Sequence, residues 1–272
     1  MRLRFLGTGT SSGVPAIGCD CAVCTSDDPR DQRLRTSACL EFTDVQGCER
    51  VILIDAGPDL RQQALAAGLK RCDAVLLTHN HVDHCFGLDE LRRFNVLMDG
   101  PIDVLADAHT LKSVRRVYGH IFDRARRVND SFVATLIPRE VRPAEPFELF
   151  GLRITPIQLL HGRLPVLGFR FDNAGHDPNA NGLLPLAYCT DVSAIPPETW
   201  AHLVGLRVLV LDALRHRRHP THFTVAEAEN VAARVGAGRT YFVHMSHDLC
   251  HAETDATLSD AVHLAYDGLV LG

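Results

Sequence analysis

The sequence predicts an α/β fold, because apolar runs of strand length alternate with segments of helical periodicity along the chain. The strand-like runs are Leu3–Leu6, Val51–Ile54, Ala74–Leu77, Ile102–Leu105, Leu152–Ile157, Leu167–Phe171, Leu186–Cys189, Val208–Leu211 and Tyr241–Val243. The helical patterns are Pro58–Ala67, Asp89–Val96, His109–Ile121 and Val225–Val235. Strands mixed with helices in this way indicate a sandwich of sheets and helices. We expect the 272 residues to form a single domain over 1–272.

Local signals mark several boundaries between these elements. Thr224 stands where a helix cap is expected before Val225–Val235, and Glu227 follows three residues later, as in a capping box. The stretches Pro138–Pro146 and Asp172–Pro185 are rich in Pro or in Asn, Gly and Pro, and we predict that both are connections.

Composition and charge exclude several classes of protein. Hydrophobic residues make up 46% and charged residues 22%, and the net charge of −5 argues against a nucleic-acid-binding protein with a broad basic surface. A local basic patch around an anionic substrate is compatible with this charge. No apolar run reaches the roughly 18 residues of a membrane span, and the N-terminus resembles a strand and a Gly-rich turn more than a signal peptide. We therefore expect a cytoplasmic protein, in which nine cysteines are not a disulfide framework.

The sharpest motif is Thr78-His-Asn-His-Val-Asp-His84, which begins where an apolar run ends. Imidazoles and carboxylates this dense are hard to explain by packing, because they lose solvation when they are buried without partners. His79 and His81 are suited to bind one cation, and Asp83 and His84 a second one beside it. The alternative is a polar loop with scattered histidines.

Three further residues with metal-binding side chains follow apolar runs. His161 comes directly after Leu160, Asp191 after Thr190 and His244 after Val243. Ligands of open α/β sheets gather at strand ends, where the core fixes the residues and the loops leave room. Each residue alone is a weak signal, since a histidine or aspartate after a strand is commonly a turn or cap residue. Their recurrence indicates one shared site.

Together these residues resemble the pattern of the metallo-β-lactamase superfamily. The resemblance implies an αββα sandwich with a dinuclear metal site at one edge. It assigns one metal to His79, His81 and His161, the other to Asp83, His84 and His244, and the bridging position to Asp191. Asp55, in Leu53-Ile-Asp-Ala-Gly57, matches an aspartate that supports the metal loop in this family without being a ligand.

A second cluster, Cys19-x-Cys21-x2-Cys24, supplies three thiolates, whereas a tetrahedral zinc requires four ligands. The opening Leu6-Gly-Thr-Gly-Thr-Ser-Ser-Gly-Val-Pro15, this cluster and His244-x-x-His247 are similar to the PhnP-type phosphodiesterases of phosphonate breakdown. That resemblance implies a structural Zn²⁺ with His247 as the fourth ligand. Thiols that simply pack as small apolar groups are the alternative.

The segment His219-Pro-Thr-His222-Phe-Thr224 matches the same subfamily and its ribonuclease Z relatives. His222 is our predicted general acid, because histidine titrates near neutral pH and His222 is not among the metal ligands. His219 is predicted to orient His222 or to bind phosphate. Loop and cap roles remain the alternatives for both. Nearby Arg163, Arg215, Arg217 and Arg218 are either substrate contacts or solvated charges.

These features predict a metal-dependent hydrolase of small anionic phosphodiesters, a cyclic ribose phosphate above all, with catalytic Asp83, Asp191 and His222. The two active-site metals are expected to be Zn²⁺, Mn²⁺ or Fe²⁺. A tRNA 3′-processing nuclease would require a basic face and a long arm, which the sequence lacks. A glyoxalase II-like thioester hydrolase would leave the His222 segment and the cysteines unexplained. We expect no nucleic-acid or membrane partner, while a homodimer is common among similar proteins.

Overall fold

Two β-sheets form the centre of the fold. The computed structural model describes residues 1–123, 125, 132–173 and 182–272. In spatial order, the first sheet contains β14 (Val270–Leu271), β1 (Arg2–Gly7), β2 (Ser37–Thr43), β3 (Glu49–Ile54), β4 (Ala74–Leu76), β5 (Ile102–Ala106) and β6 (Leu136–Glu140). The second contains β13 (Val262–Leu264), β12 (Arg239–Val243), β11 (Val208–Asp212), β10 (Leu186–Cys189), β9 (Leu164–Asn173), β8 (Leu152–His161) and β7 (Phe147–Leu149).

Apolar side chains from both sheets pack against each other between them, Phe5 and Ile52 from the first sheet with Phe169 and Tyr188 from the second. The helices are α1 (Leu60–Ala66), α2 (Val82–Cys85), α3 (Arg92–Met98), α4 (Ala108–Val117), α5 (Gly119–Phe122), α6 (Val225–Val235) and α7 (His251–Asp255). Helices α1, α3 and α4 cover the other face of the first sheet, and α6 covers that of the second. The resulting layers, helix, sheet, sheet and helix, confirm the predicted αββα sandwich.

Parallel strands bring the ends of distant chain segments to one edge of this sandwich. Strands β3, β4 and β5 run parallel in the first sheet, and β10, β11 and β12 run parallel in the second. The polar residues that follow β3, β4, β10 and β12 therefore emerge at the carboxyl edges of the two sheets, where ligands of α/β proteins gather.

The predicted strands are all present, and α6 begins with the predicted capping box between Thr224 and Glu227. The prediction that Pro138–Pro146 is a connection is wrong at its start, because residues 138–140 pair with β5 as part of β6. Of the predicted loop Asp172–Pro185, the part 174–181 lies outside the described residues. None of the helices within the described ranges is both long and apolar enough to cross a lipid bilayer.

Candidate dinuclear metal centre and cysteine cluster

The histidine motif turns sharply after β4 and continues into the short helix α2. His79 lies just beyond the strand, His81 caps the helix, and Asp83 and His84 lie within it. The structure brings this motif together with the residues at the ends of β8, β10 and β12. Ligand atoms lie within 4.8 Å of one another in a first group, His79, His81, His161 and Asp191, and in a second group, Asp83, His84 and His244.

The carboxylate of Asp191 lies between the two groups. Its Oδ1 is 3.2 Å from His84 Nε2 and 3.3 Å from His244 Nε2. Its Oδ2 faces the first group, 3.8 Å from His79 Nε2 and 3.9 Å from His161 Nε2. Metal–ligand bonds of about 2.0–2.1 Å in tetrahedral geometry separate neighbouring ligand atoms by about 3.3 Å. The distances from Oδ1 to His84 and His244 agree with this value, and the distances from Oδ2 to His79 and His161 are longer.

Hydrogen bonds hold three of the imidazoles through Nδ1 and leave Nε2 facing the centre. His84 Nδ1 donates to Asp55 Oδ2 at 2.7 Å, and His161 Nδ1 donates to a backbone carbonyl at 2.7 Å. The hydroxyl of Thr78 donates to Asp55, so it accepts from His79 Nδ1 at 3.0 Å. A partner on Nδ1 selects the tautomer that presents a lone pair on Nε2, as metal-binding histidines require.

Several ligand atoms at the centre are buried without a hydrogen-bond partner among the described residues, namely Nε2 of His79, His84 and His244. Burial lowers the pKa of His79 well below its ordinary value. Burial opposes ionisation of Asp191, but the neighbouring His244 and His84 outweigh it and hold the carboxyl pKa well below its usual range. Unpartnered imidazole nitrogens that face ionised carboxylates fit divalent metal ions, which supply the missing partners.

Backbone conformation is unusual where the chain enters the centre. Asp55, Asp191 and His244 each follow a strand and have φ angles of 61°, 54° and 62°. Such left-handed conformations are costly for residues other than glycine and cluster at functional sites. Gly57 has a packing role nearby, since a Cβ there would lie 2.0 Å from the carbonyl oxygen of Asp83. Only glycine therefore allows the segment after β3 to approach α2 so closely.

His222 lies at the rim of the centre and is buried. Its Nδ1 is 2.8 Å from Oδ2 of Asp212, the last residue of β11, and its ring stacks on His244 with the centroids 4.7 Å apart. The ring centroids of His161 and His222 are 4.5 Å apart. His219 is only partly buried, with its ring centroid 5.1 Å from that of His222, and burial lowers its pKa.

The cysteine cluster lies apart from these groups, on the N-terminal segment. Sγ of Cys19 is 3.2 Å from His247 Nδ1, and Sγ of Cys21 and of Cys24 are each 3.4 Å from the same atom. A tetrahedral zinc with Zn–S of about 2.3 Å and Zn–N of about 2.0 Å places each sulfur about 3.5 Å from the nitrogen. A backbone hydrogen bond from Cys24 lowers the pKa of Cys21 to about 6, whereas burial raises that of Cys24 to about 11. The structure thus brings together the four side chains that the sequence predicts as zinc ligands.

A family model described as a beta-lactamase superfamily domain matches residues 50–245, which include all seven residues of the two ligand groups. The chain belongs to the metallo-β-lactamase superfamily. The fold of this superfamily implies binding of divalent metal ions.

Three proteins that are similar to this chain carry different names. The chain is 39% identical to a diphosphatase of the PhnP family whose crystal structure is known, with a TM-score of 0.86 and coverage of 100% of this chain and 97% of that one. It is 31% identical over 233 residues to coenzyme PQQ synthesis protein B of Methylobacterium nodulans, covering 78% of this chain and 72% of that protein. It is 37% identical to an octanoyltransferase of Porphyromonas gingivalis over 99% of this chain, but spans only 51% of that protein.

The sequence analysis missed the roles of Asp212 and Thr78. Their side-chain oxygens contact Nδ1 of His222 and Nδ1 of His79, respectively. A signal for Asp212 existed, because it ends an apolar run just as Asp55 does. Of the candidate substrate arginines, Arg217 forms an ion pair with Asp248 at 3.3 Å, and Arg215 approaches the same carboxylate at 3.8 Å. Arg163 and Arg218 are exposed.

Proposed function

We propose that this chain hydrolyses a phosphodiester in a small anionic substrate, with a cyclic ribose phosphate as the favoured class. The observation that carries the proposal is the imidazole of His222, held by Asp212 against the rim of the dinuclear centre. An alkoxide is a poor leaving group until it is protonated, so a histidine in this position serves the cleavage of an alkyl phosphodiester. A thiolate leaves without such help, which makes a thioester substrate the weaker hypothesis.

The residues of the site have three roles in this proposal: binding metal, orienting the ligands and transferring a proton. His79, His81 and His161 would hold one metal, Asp83, His84 and His244 the other, and Asp191 would bridge them. When bound, such a pair lowers the pKa of water and stabilises charge on phosphoryl oxygens. Asp55 orients His84, and Thr78 orients His79 through its hydroxyl. His222 would carry a proton to the departing oxygen, and Asp212 would fix the orientation and tautomer of its ring.

A cation pair lined by carboxylates and imidazoles suits a small anion, and the net charge of −5 suits a long polyanion poorly. For this reason we favour a small substrate over a precursor tRNA. We also propose Zn²⁺ in the cysteine cluster, since three thiolates and one imidazole are a common structural zinc set. The metal identity in the dinuclear centre is expected among Zn²⁺, Mn²⁺ and Fe²⁺.

A diphosphate is the second candidate substrate, because the PhnP-family protein that is 39% identical to this chain is named a diphosphatase. A phosphate is a better leaving group than an alkoxide, so a diphosphate would require His222 less. The two candidate substrates therefore differ in how strongly their hydrolysis depends on His222.

A hydrolysis panel tests the proposal. It would contain a cyclic ribose phosphate, bis(p-nitrophenyl) phosphate, a nucleoside diphosphate ester, a precursor tRNA and a glutathione thioester, and metal content would be measured in parallel. We expect the highest kcat/KM with the cyclic ribose phosphate. Preferential cleavage of the diphosphate would select the second candidate, and turnover of the thioester alone would reject both.

A further inference from the structure

Residues 244–250, which follow β12, contribute ligands to both metal clusters. His244 belongs to the dinuclear centre, and His247, three residues later, belongs to the cysteine cluster. His244 is held in the left-handed conformation, with φ of 62°. A small change in the backbone of this segment would therefore displace a ligand in each cluster.

The N-terminal segment holds the start of residues 244–250 through backbone hydrogen bonds. Met245 N donates to the carbonyl of Thr8 at 3.0 Å, and the Met245 carbonyl accepts from Thr10 N at 3.0 Å. Both bonds come from a stretch of chain that is far from Met245 in sequence. Met245, the residue next to His244, is thus held through both its N–H and its carbonyl.

Arg33 holds the rest of this segment. It is the largest fully buried side chain of the described residues. Its Nη1 donates to the carbonyl of Ser246 at 2.9 Å, and its Nη2 donates to the carbonyl of Leu249 at 2.7 Å. These two carbonyls lie on either side of His247. One guanidinium group therefore fixes the backbone that presents His247 to the cysteines.

The surroundings of Arg33 hold it in place. Oδ1 of Asp31 accepts from Arg33 Nη2 at 2.9 Å and from the backbone N–H of His251 at 2.8 Å. The backbone of Arg33 exchanges two hydrogen bonds of 2.8 Å with Val14. A buried cation is expensive, and an apolar residue would pack here without that cost. The geometry of a planar fork that reaches separate acceptors explains why an arginine stands at this position.

We propose that Arg33 is a positioning residue that couples the two metal clusters. By fixing residues 245–249, it transmits the position of His247, set by metal in the cysteine cluster, to His244 in the dinuclear centre. Binding of metal at one cluster then strengthens binding at the other, and such coupling is reciprocal. This inference concerns metal binding alone and holds whatever the substrate.

The first test replaces Arg33 by lysine, which keeps the charge but loses the planar fork. Metal-free full-length protein is titrated with Co²⁺, whose thiolate charge-transfer band reports on the cysteine cluster and whose ligand-field bands report on the dinuclear centre. We expect Arg33→Lys to weaken cobalt binding at the dinuclear centre by about 10- to 100-fold, the range found for residues that orient metal ligands. Amide hydrogen exchange of Met245 and Leu249 should accelerate in the metal-free protein.

Arg50→Lys is the matched control, because the Arg50 guanidinium also reaches separate acceptors, the carboxylates of Asp44 and Asp73, but lies at the opposite end of β3 from the centre. It should leave both the cobalt spectrum and the exchange rates at residues 245–249 unchanged. Arg33→Lys protein with wild-type cobalt affinity would overturn the proposal.

A second variant, Cys24→Ser, tests the coupling with Arg33 intact and decides the matter if Arg33→Lys does not fold. We expect it to weaken cobalt binding at the dinuclear centre by a similar factor, and the double variant Arg33→Lys, Cys24→Ser to be no weaker than either single one. Wild-type affinity of the dinuclear centre in Cys24→Ser would show that the two clusters are independent. Losses that add in the double variant would also contradict the coupling through Arg33.

Discussion

Replacement of His222 by alanine separates proton donation from metal binding. Asp212 fixes the ring through Nδ1 at 2.8 Å and the ring stacks on His244, so Nε2, the nitrogen left to donate a proton, has a defined position at the rim of the centre. A positioned general acid contributes about 10²- to 10⁴-fold in rate, which corresponds to about 3–5 kcal/mol of activation free energy. We expect kcat for an alkyl phosphodiester to fall by that factor and kcat for bis(p-nitrophenyl) phosphate to fall much less, because nitrophenolate leaves without a proton.

The assay compares kcat for a cyclic ribose phosphate and for bis(p-nitrophenyl) phosphate, with metal content measured on the same samples. His216→Ala is the control, since His216 is exposed on the same loop. One rival explanation is specific to this geometry: His222 forms a group with Asp191 and His244 in which ligand atoms lie within 4.8 Å. If His222 is a metal ligand, the variant will lose metal and will lose activity on both substrates equally. That result would refute the role of general acid.

Three further predictions each concern a single aspartate. Asp191→Ala should remove the bridging carboxylate and lower bound metal by at least one equivalent per chain, measured by elemental analysis; unchanged content would contradict the bridge. Asp55→Ala leaves the Nδ1 groups of His79 and His84 less well oriented and should weaken metal affinity about 10- to 100-fold in a competition titration. Burial raises the pKa of Asp267 from 3.8 to about 7, so its stabilising contribution is present below pH 3.8 and is lost as the pH rises towards 7. Between pH 3.8 and 7, urea unfolding of metal-free protein should therefore show the wild type losing up to about 4 kcal/mol more stability than Asp267→Asn.

The sequence alone was sufficient to predict which polar residues lie at the edge of the sandwich. Long apolar runs such as Leu152–Ile157 become strands because their burial requires a sheet, and a polar residue at the end of such a run is left at the edge. This is why His161 and His244 were identified without coordinates. The capping box of α6 was equally local, since Thr224 and Glu227 satisfy each other within one turn.

Weakly apolar strands were not predictable in the same way. β2, with the sequence SACLEFT, has no clean alternation, and it is buried because β1 and β3 flank it. β6 begins with Leu-Ile-Pro, and its proline is compatible with the edge position that only the sheet order reveals. Neighbouring strands, and not the local residues, decided these two elements.

The tertiary structure also decided which side chains hold the ligands in place. The sequence does not distinguish a solvated aspartate or arginine from a buried one. Only the fold brings Asp212 to His222 and buries Arg33 against the segment 245–249. Residue type and spacing along the chain are thus local information, and they are sufficient to predict candidate ligands. Ligand orientation depends on hydrogen bonds between distant segments, and these exist only once the two sheets have packed together.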